Sequence, residues 1–345
     1  MSLHTVIAEK KFLHVKDFFT ERGECISELT ICYTTIGNAE FRDEHTIWIC
    51  HALTGNSNPA EWWPGMVGER CTFDPEKHYI VCANILGSCY GSTGPLEINP
   101  QTGQPYYLTF PQLTIRDLVN AHEILRQHLN IKKIHTCIGG SLGGQQALEW
   151  AIMQPDIIQH LILIASNAYH SPWGIAFNEA QRMAIKADPT WCENSPHAGA
   201  AGLKAARAIA LLSYRSYQTY HSTQHENDCE LKDVYKAVSY QQYQGEKLAK
   251  RFHAHCYLCL THCMDSHNVG RNRQSVQHAL ASIKARTLVI GISSDLLFPT
   301  SEQKFLHQHI PFSHYQEIES LYGHDGFLIE TQKLSEIIAR FYLQS

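Results

Sequence analysis

A chain of 345 residues with 44% apolar and 18% charged content carries enough hydrophobic side chain to bury a full-sized core with an added subdomain, which excludes an overall disordered chain. A net charge of −5, with no Lys/Arg run interleaved with aromatics, excludes a nucleic-acid partner. Residues 1–11 lack an apolar stretch after their charges and runs such as 161–165 are far too short to cross a bilayer, so the chain reads as a soluble, cytoplasmic protein without a membrane partner.

The first third reads as strands at 29–35, 46–50 and 79–85, each an apolar run bounded by turn-forming or polar residues. Ile115, Leu118, Val119, Ala121, Ile124 and Leu125 then recur at helical spacing within 114–129, followed by a strand at 134–138. A helix at about 144–153, stopped by Pro155, leads to a strand at 160–165. Strands alternating with helices in this rhythm predict an α/β class, a mostly parallel sheet covered on both faces. After residue 165 the rhythm breaks into helical stretches at 178–187, 202–214 and 245–264, with a loop at 219–230. A strand at 287–292, a helix near 301–309, a short strand near 315–318 and a closing helix at 326–343 complete the chain. The expected organisation is a sheet core of residues 1–168 and 286–345, interrupted by a helical cap at 169–285. Twelve cysteines are too dilute for a disulfide framework, and Cys50, Cys82 and Cys137 sit in strand-like apolar runs, which reads as reduced, buried and inert.

Gly139-Gly140-Ser141-Leu142-Gly143 matches G-x-S-x-G at the junction of a strand and a helix. That placement separates it from an ordinary Gly-rich turn: a strand-to-helix elbow needs glycines around a serine in a strained conformation, and it aims the helix N-terminus at the reacting centre. A serine hydroxyl needs a base, and a histidine held by an acid should follow in the order Ser, Asp, His. Asp295 follows the strand at 287–292, and His324 lies between the last strand and the last helix, so both share the sheet edge of Ser141. Asp325 adjoins His324 and is badly placed to orient that ring, which leaves it free for substrate. The oxyanion needs two N–H donors: Leu142 after the nucleophile, and Leu53 in His51-Ala52-Leu53-Thr54-Gly55 after the strand at 46–50.

Together with the elbow and its flank Gln145-Gln146-Ala147-Leu148-Glu149-Trp150, the segments His51–Gly55, Trp62-Trp63, Asn84 through Pro95, Ala176-Phe177-Asn178-Glu179 and Gly323-His324-Asp325 resemble the homoserine O-acetyltransferase family of α/β-hydrolases, from about residue 25 onward. The resemblance implies a place in methionine biosynthesis and a ping-pong reaction. Ser141 would take acetyl from the co-substrate acetyl-CoA and pass it to the hydroxyl of L-homoserine, with His324 as base and then acid and no permanently bound cofactor. It further implies that Arg207 grips the homoserine carboxylate, that Asp325 takes its ammonium group, that Tyr214 lines the same pocket, and that the protein is a homodimer paired through the cap. An arginine fork and a carboxylate suit the two ends of an amino acid. Without the resemblance Arg207 would read as a solvated helix charge.

His255, Cys256, Cys259, His262 and Cys263 look at first like zinc ligands. The i, i+3, i+7 spacing of the cysteines also describes the buried stripe of a helix, and that reading is preferred, with no metal site. Four other activities keep the same scaffold: a homoserine O-succinyltransferase, a serine O-acyltransferase, a serine esterase, and a noncatalytic binding protein. The last is disfavoured by an intact Ser141, Asp295 and His324.

Overall fold

The computed structural model describes residues 8–344, so most of the expectation for residues 1–11 lies outside it. β1 (Glu9–Phe19) and β2 (Cys25–Ile36) form an antiparallel pair, followed by β3 (Thr46–Cys50), a short helix α1 (Pro59–Trp62) and β4 (Tyr79–Ala83). A small ribbon of β5 (Ile98–Asn99) and β6 (Gln104–Pro105) precedes α2 (Ile115–His128), β7 (Ile134–Gly140), α3 (Leu142–Met153) and β8 (Ile158–Ile164). Six helices follow: α4 (Pro172–Lys186), α5 (Ala200–Tyr214), α6 (Tyr217–Gln224), α7 (Lys236–Ala249), α8 (Ala254–Asp265) and α9 (Val276–Ala281). The chain closes with β9 (Arg286–Ile292), α10 (Thr300–His309), β10 (Ser313–Ile318), α11 (Gly326–Ile329) and α12 (Thr331–Leu343).

Eight strands make one sheet in the order β1-β2-β4-β3-β7-β8-β9-β10, parallel from β4 onward. β3 and β4 are buried at every position, because a parallel strand with helices on both faces has no solvent side. Successive residues still divide between two cores: Trp48 and Cys50 face the one that holds Leu118, Leu148 and Trp150, and Ile47 and Ile49 face the one that holds Phe327, Leu334 and Ile338. α2 begins where the apolar spacing predicts, with Thr114 and Asp117 forming a reciprocal cap.

Among the described residues no strand lies between β8 and β9, as the sequence indicated. The insert has a defined neck: Tyr169 bridges Asn268, with His170 N–H to the His267 carbonyl at 2.9 Å and Val269 N–H to the Ala168 carbonyl at 3.0 Å. The neck puts α9 on the core side, against α10, rather than in the cap expected to run to residue 285.

Three other expectations are corrected. The stretch 245–264 is two helices, α7 and α8, separated by residues 250–253. The loop at 219–230 begins as helix α6, capped by the Ser216 hydroxyl. The closing helix at 326–343 breaks at Glu330, whose ψ of 44° leaves the helical region.

Candidate active site

β7 runs straight into α3, and Ser141 at the junction has φ 56° and ψ −127°, a strained crest for a residue with a Cβ. Its carbonyl accepts from Ser166 Oγ at 3.0 Å and its N–H donates to the Ile164 carbonyl at 3.0 Å, which holds the crest from the β8 side. Two close approaches show why glycine surrounds it. A Cβ on Gly143 would lie 2.0 Å from the Cys50 carbonyl oxygen, and one on Gly140 would lie 2.6 Å from the Phe327 ring. The first contact presses the start of α3 against the end of β3, so the turn that contains Leu53 and the N-terminus that begins with Leu142 are neighbours. Gln146 ties them, its Nε2 donating to the His51 carbonyl at 3.2 Å and to the Leu142 carbonyl at 3.0 Å.

Asp295 and His324, expected as acid and base, lie in contact. Asp295 Oδ2 lies 2.7 Å from His324 Nδ1, and Asp295 Oδ1 accepts from the Leu297 and Phe298 N–H groups at 2.8 and 2.9 Å. Ser294 ties the two loops: its hydroxyl donates to the Ser320 carbonyl at 2.6 Å and accepts from the Gly323 N–H at 3.0 Å. Both residues are buried. Burial works against the charged ring of His324, but the Asp295 carboxylate outweighs it and holds the imidazole above its ordinary value. The Phe327 ring that covers Gly140 also meets the His324 ring at 5.4 Å, so His324 and the residue before Ser141 are gathered around one aromatic side chain. Phe298 stacks on the imidazole at 5.0 Å.

Residues of α5 approach the same imidazole. Tyr214, at the end of α5, meets the His324 ring at 5.7 Å, and the Arg207 guanidinium lies 5.4 Å from the Tyr214 ring centre. Arg207 is therefore held beside the histidine through an aromatic ring. Burial raises the Tyr214 hydroxyl above its ordinary value, and it shares a hydrogen bond with the buried Tyr257. Asp325 departs from expectation: it is not free, because its carboxylate lies 3.2 Å from Arg215 Nη2 at the C-terminal end of α5. That pairing links residues far apart in sequence, and no local pattern signals it.

Sequence reasoning also missed Gln146, Tyr257 and Glu302. Glu302, in the first turn of α10, accepts from Asn167 Nδ2 at 2.9 Å, and burial pushes its carboxyl up to about 7. Gln146 stands in the elbow's flank and could have been found there; Tyr257 and Glu302 carry no comparable signal. Cys256 and Cys263 are buried in the main core with Cys259 half-buried beside them, which is the apolar-stripe reading of α8. None of the twelve cysteines is bonded to another. Among the described residues no group of three or more His, Cys, Asp or Glu is placed to hold a metal ion, and no helix is long and apolar enough to cross a membrane.

Residues 46–331 match the family model of the alpha/beta hydrolase fold. Over 325 residues the chain is 50% identical to the homoserine O-acetyltransferase of Cyclobacterium marinum, covering 94% of this chain and 92% of that protein. It is 42% identical over 330 residues to the homoserine O-acetyltransferase of Trichormus variabilis, covering 94% and 91%. Among solved structures, the homoserine O-acetyltransferase of Staphylococcus aureus superposes with a TM-score of 0.80 at 30% identity, covering 96% of this chain and 95% of that one.

Proposed function

We propose that this chain, which belongs to the homoserine O-acetyltransferase family of α/β-hydrolases, moves an acetyl group from acetyl-CoA to the hydroxyl of L-homoserine by way of an acetyl-serine on Ser141. The observation that carries the mechanism is the 2.7 Å bond between Asp295 and His324 Nδ1. It fixes the tautomer that leaves Nε2 free to take a proton. Ser141 Oγ attacks the thioester carbonyl as its proton passes to His324 Nε2; the Leu53 and Leu142 N–H groups stabilise the oxyanion, and the proton leaves with the CoA sulfur. In the second half His324 takes the homoserine hydroxyl proton, that oxygen attacks the acetyl carbonyl, the acetyl–Oγ bond breaks, and His324 returns the proton to Ser141 Oγ.

Arg207 supplies a fork for the homoserine carboxylate. Asp325 can serve the ammonium group while it keeps Arg215, since a carboxylate has acceptor sites for both. The cap helices α4–α8 cover the acetyl-serine and keep water from competing with homoserine. Leu212, Tyr217, Val234 and Val238 are exposed apolar side chains on the cap that pairing of two copies through the cap would cover. Twelve unbonded cysteines suit a reducing cytoplasm, and no permanent cofactor is required.

The test is thiol release from acetyl-CoA and from succinyl-CoA, each with homoserine, serine or no acceptor, for the wild type and Ser141→Ala. The expected result is turnover with acetyl-CoA plus homoserine only, abolished in Ser141→Ala with the fold intact. Equal turnover without an acceptor would make the protein an esterase, and substantial activity in Ser141→Ala would remove the nucleophile.

A further inference from the structure

The turn between α7 and α8 seats the cap on the core beside the acyl site. Arg251 Nη1 donates to the Thr54 carbonyl at 2.8 Å and to the Tyr90 hydroxyl at 2.7 Å, and Nη2 lies 3.3 Å from Thr54 Oγ1. The next residue, Phe252, is buried and meets the Tyr90 ring edge-on at 5.7 Å. An exposed arginine gives up much rotamer freedom to keep such a geometry, so three polar contacts from one guanidinium mark more than a solvated charge.

Thr54 belongs to the tight turn closed by the Gly55 N–H on the Ala52 carbonyl at 2.9 Å, and Leu53 lies between those ends. The inner side of the turn is fixed by His51, whose Nε2 accepts from the Ile85 N–H at 3.0 Å and whose carbonyl accepts from Gln146 at 3.2 Å. Arg251 is the matching outer anchor, and it comes from the cap.

We infer that Arg251 is a positioning residue for acyl transfer: by clamping the 52–55 turn to the cap, it aims the Leu53 N–H at the developing oxyanion. This rests on the assignment of Leu53 as an oxyanion donor. A preorganised donor stabilises only the charge that develops in the transition state, so its misalignment lowers turnover and leaves ground-state binding alone. The same oxyanion site serves both half-reactions, so both should slow together. Arg207, by contrast, is assigned to the acceptor alone.

The experiment compares Arg251→Met, Arg251→Lys and Tyr90→Phe with wild type in kcat, in KM for acetyl-CoA and homoserine, and in inhibition by methylboronic acid, which forms a tetrahedral adduct with an activated serine. Complete loss of an oxyanion donor costs about a hundred- to a thousandfold, so loosening one should cost about tenfold in kcat. Arg251→Met should show that fall, an equal weakening of boronate inhibition, both KM values within about twofold, and an unchanged melting temperature. Arg251→Lys, which can keep the bond to the Thr54 carbonyl, should recover part of the loss, and Tyr90→Phe should be nearly silent. A rise in KM for acetyl-CoA with kcat and boronate inhibition unchanged would overturn the inference and make Arg251 an anchor for the donor's phosphates. A fall in kcat with boronate inhibition unchanged would overturn it equally. Wild-type protein that ignores the boronate would sink the underlying site assignment; wild-type and Arg251→Met proteins inhibited alike would sink only the role of Arg251.

Discussion

Asp295→Asn changes one atom and should disable the base. Oδ1 of Asp295 accepts two backbone N–H groups, from Leu297 and Phe298 at 2.8 and 2.9 Å, while Oδ2 faces His324 Nδ1 at 2.7 Å. An asparagine that keeps its oxygen on the two N–H groups must turn its –NH2 toward Nδ1. The ring then accepts at Nδ1, carries its proton on Nε2, and cannot take one from Ser141. The opposite amide orientation restores the useful tautomer but leaves two buried N–H groups without an acceptor, at about 1–3 kcal/mol each. The disabled arrangement is therefore favoured by about 2–6 kcal/mol, and at about 1.36 kcal/mol per decade kcat should fall by roughly 30-fold to 3 × 10⁴-fold. The pH profile supplies a second readout. Burial lowers the affinity of His324 for a proton, but Asp295 outweighs it and holds the ring above about 6.5, so wild-type kcat/KM for acetyl-CoA should decline as pH falls through a value above about 6.5. Without the carboxylate charge that acid limb should move to lower pH. The assay is thiol release from acetyl-CoA with saturating homoserine across pH 5–9 (about four units around the His range). A variant within about threefold of wild-type kcat, with an unmoved acid limb, would refute the assignment of Asp295.

Arg207→Ala should lower kcat/KM for homoserine by about ten- to a hundredfold, the loss of a charge-assisted bond, while the burst of CoA released without acceptor is kept; equal damage to both would show that Arg207 does not read the acceptor. Gly143→Ala forces a Cβ to within 2.0 Å of a backbone oxygen that cannot swing away, so destabilisation of about 3 kcal/mol and loss of activity are expected in melting and turnover measurements. A wild-type melting temperature in that variant would mean the elbow and the end of β3 are not in contact. Acid should destabilise the fold: burial holds His51 down to about 4 and His267 down to about 3, so as pH falls below about 6.5 the unfolded chain takes up protons that the folded chain refuses. That stability is full above about 6.5 and lost toward the folded values, at about 2 kcal/mol for each of these histidines by pH 5. Equal urea midpoints at about pH 7.5 and pH 5 would contradict it.

Where local pattern and tertiary burial agree, the sequence is explicit. β3 is apolar from Ile47 to Cys50, α2 has both a stripe and a cap, and Gly139 and Gly143 of the elbow stand where backbone meets backbone. Asp295 and His324 could be located because the order of strands and helices fixes which edge of the sheet a loop occupies. β1 escaped notice because Lys10, Lys11, Lys16 and Asp17 break up the alternation of an edge strand whose inner face, Leu13, Val15 and Phe18, is short. The break between α7 and α8 contains neither Gly nor Pro; Arg251 within it bonds to Thr54 and Tyr90, partners remote in sequence. The Arg215 pairing of Asp325 was illegible for the same reason.

β8 and β9 pair directly, Ile164 opposite Ile290, although the whole helical insert separates them in the chain. Since that insert departs and returns through one narrow antiparallel neck, it can be exchanged like a cartridge. A foreign segment spliced at residues 170 and 267 would sit beside Ser141 and the Asp295–His324 pair, all of which the core itself carries, and would bring its own choice of acceptor. Such an exchange would change what receives the acyl group, and it would also remove Arg251, whose hold on the 52–55 turn the new segment would have to replace.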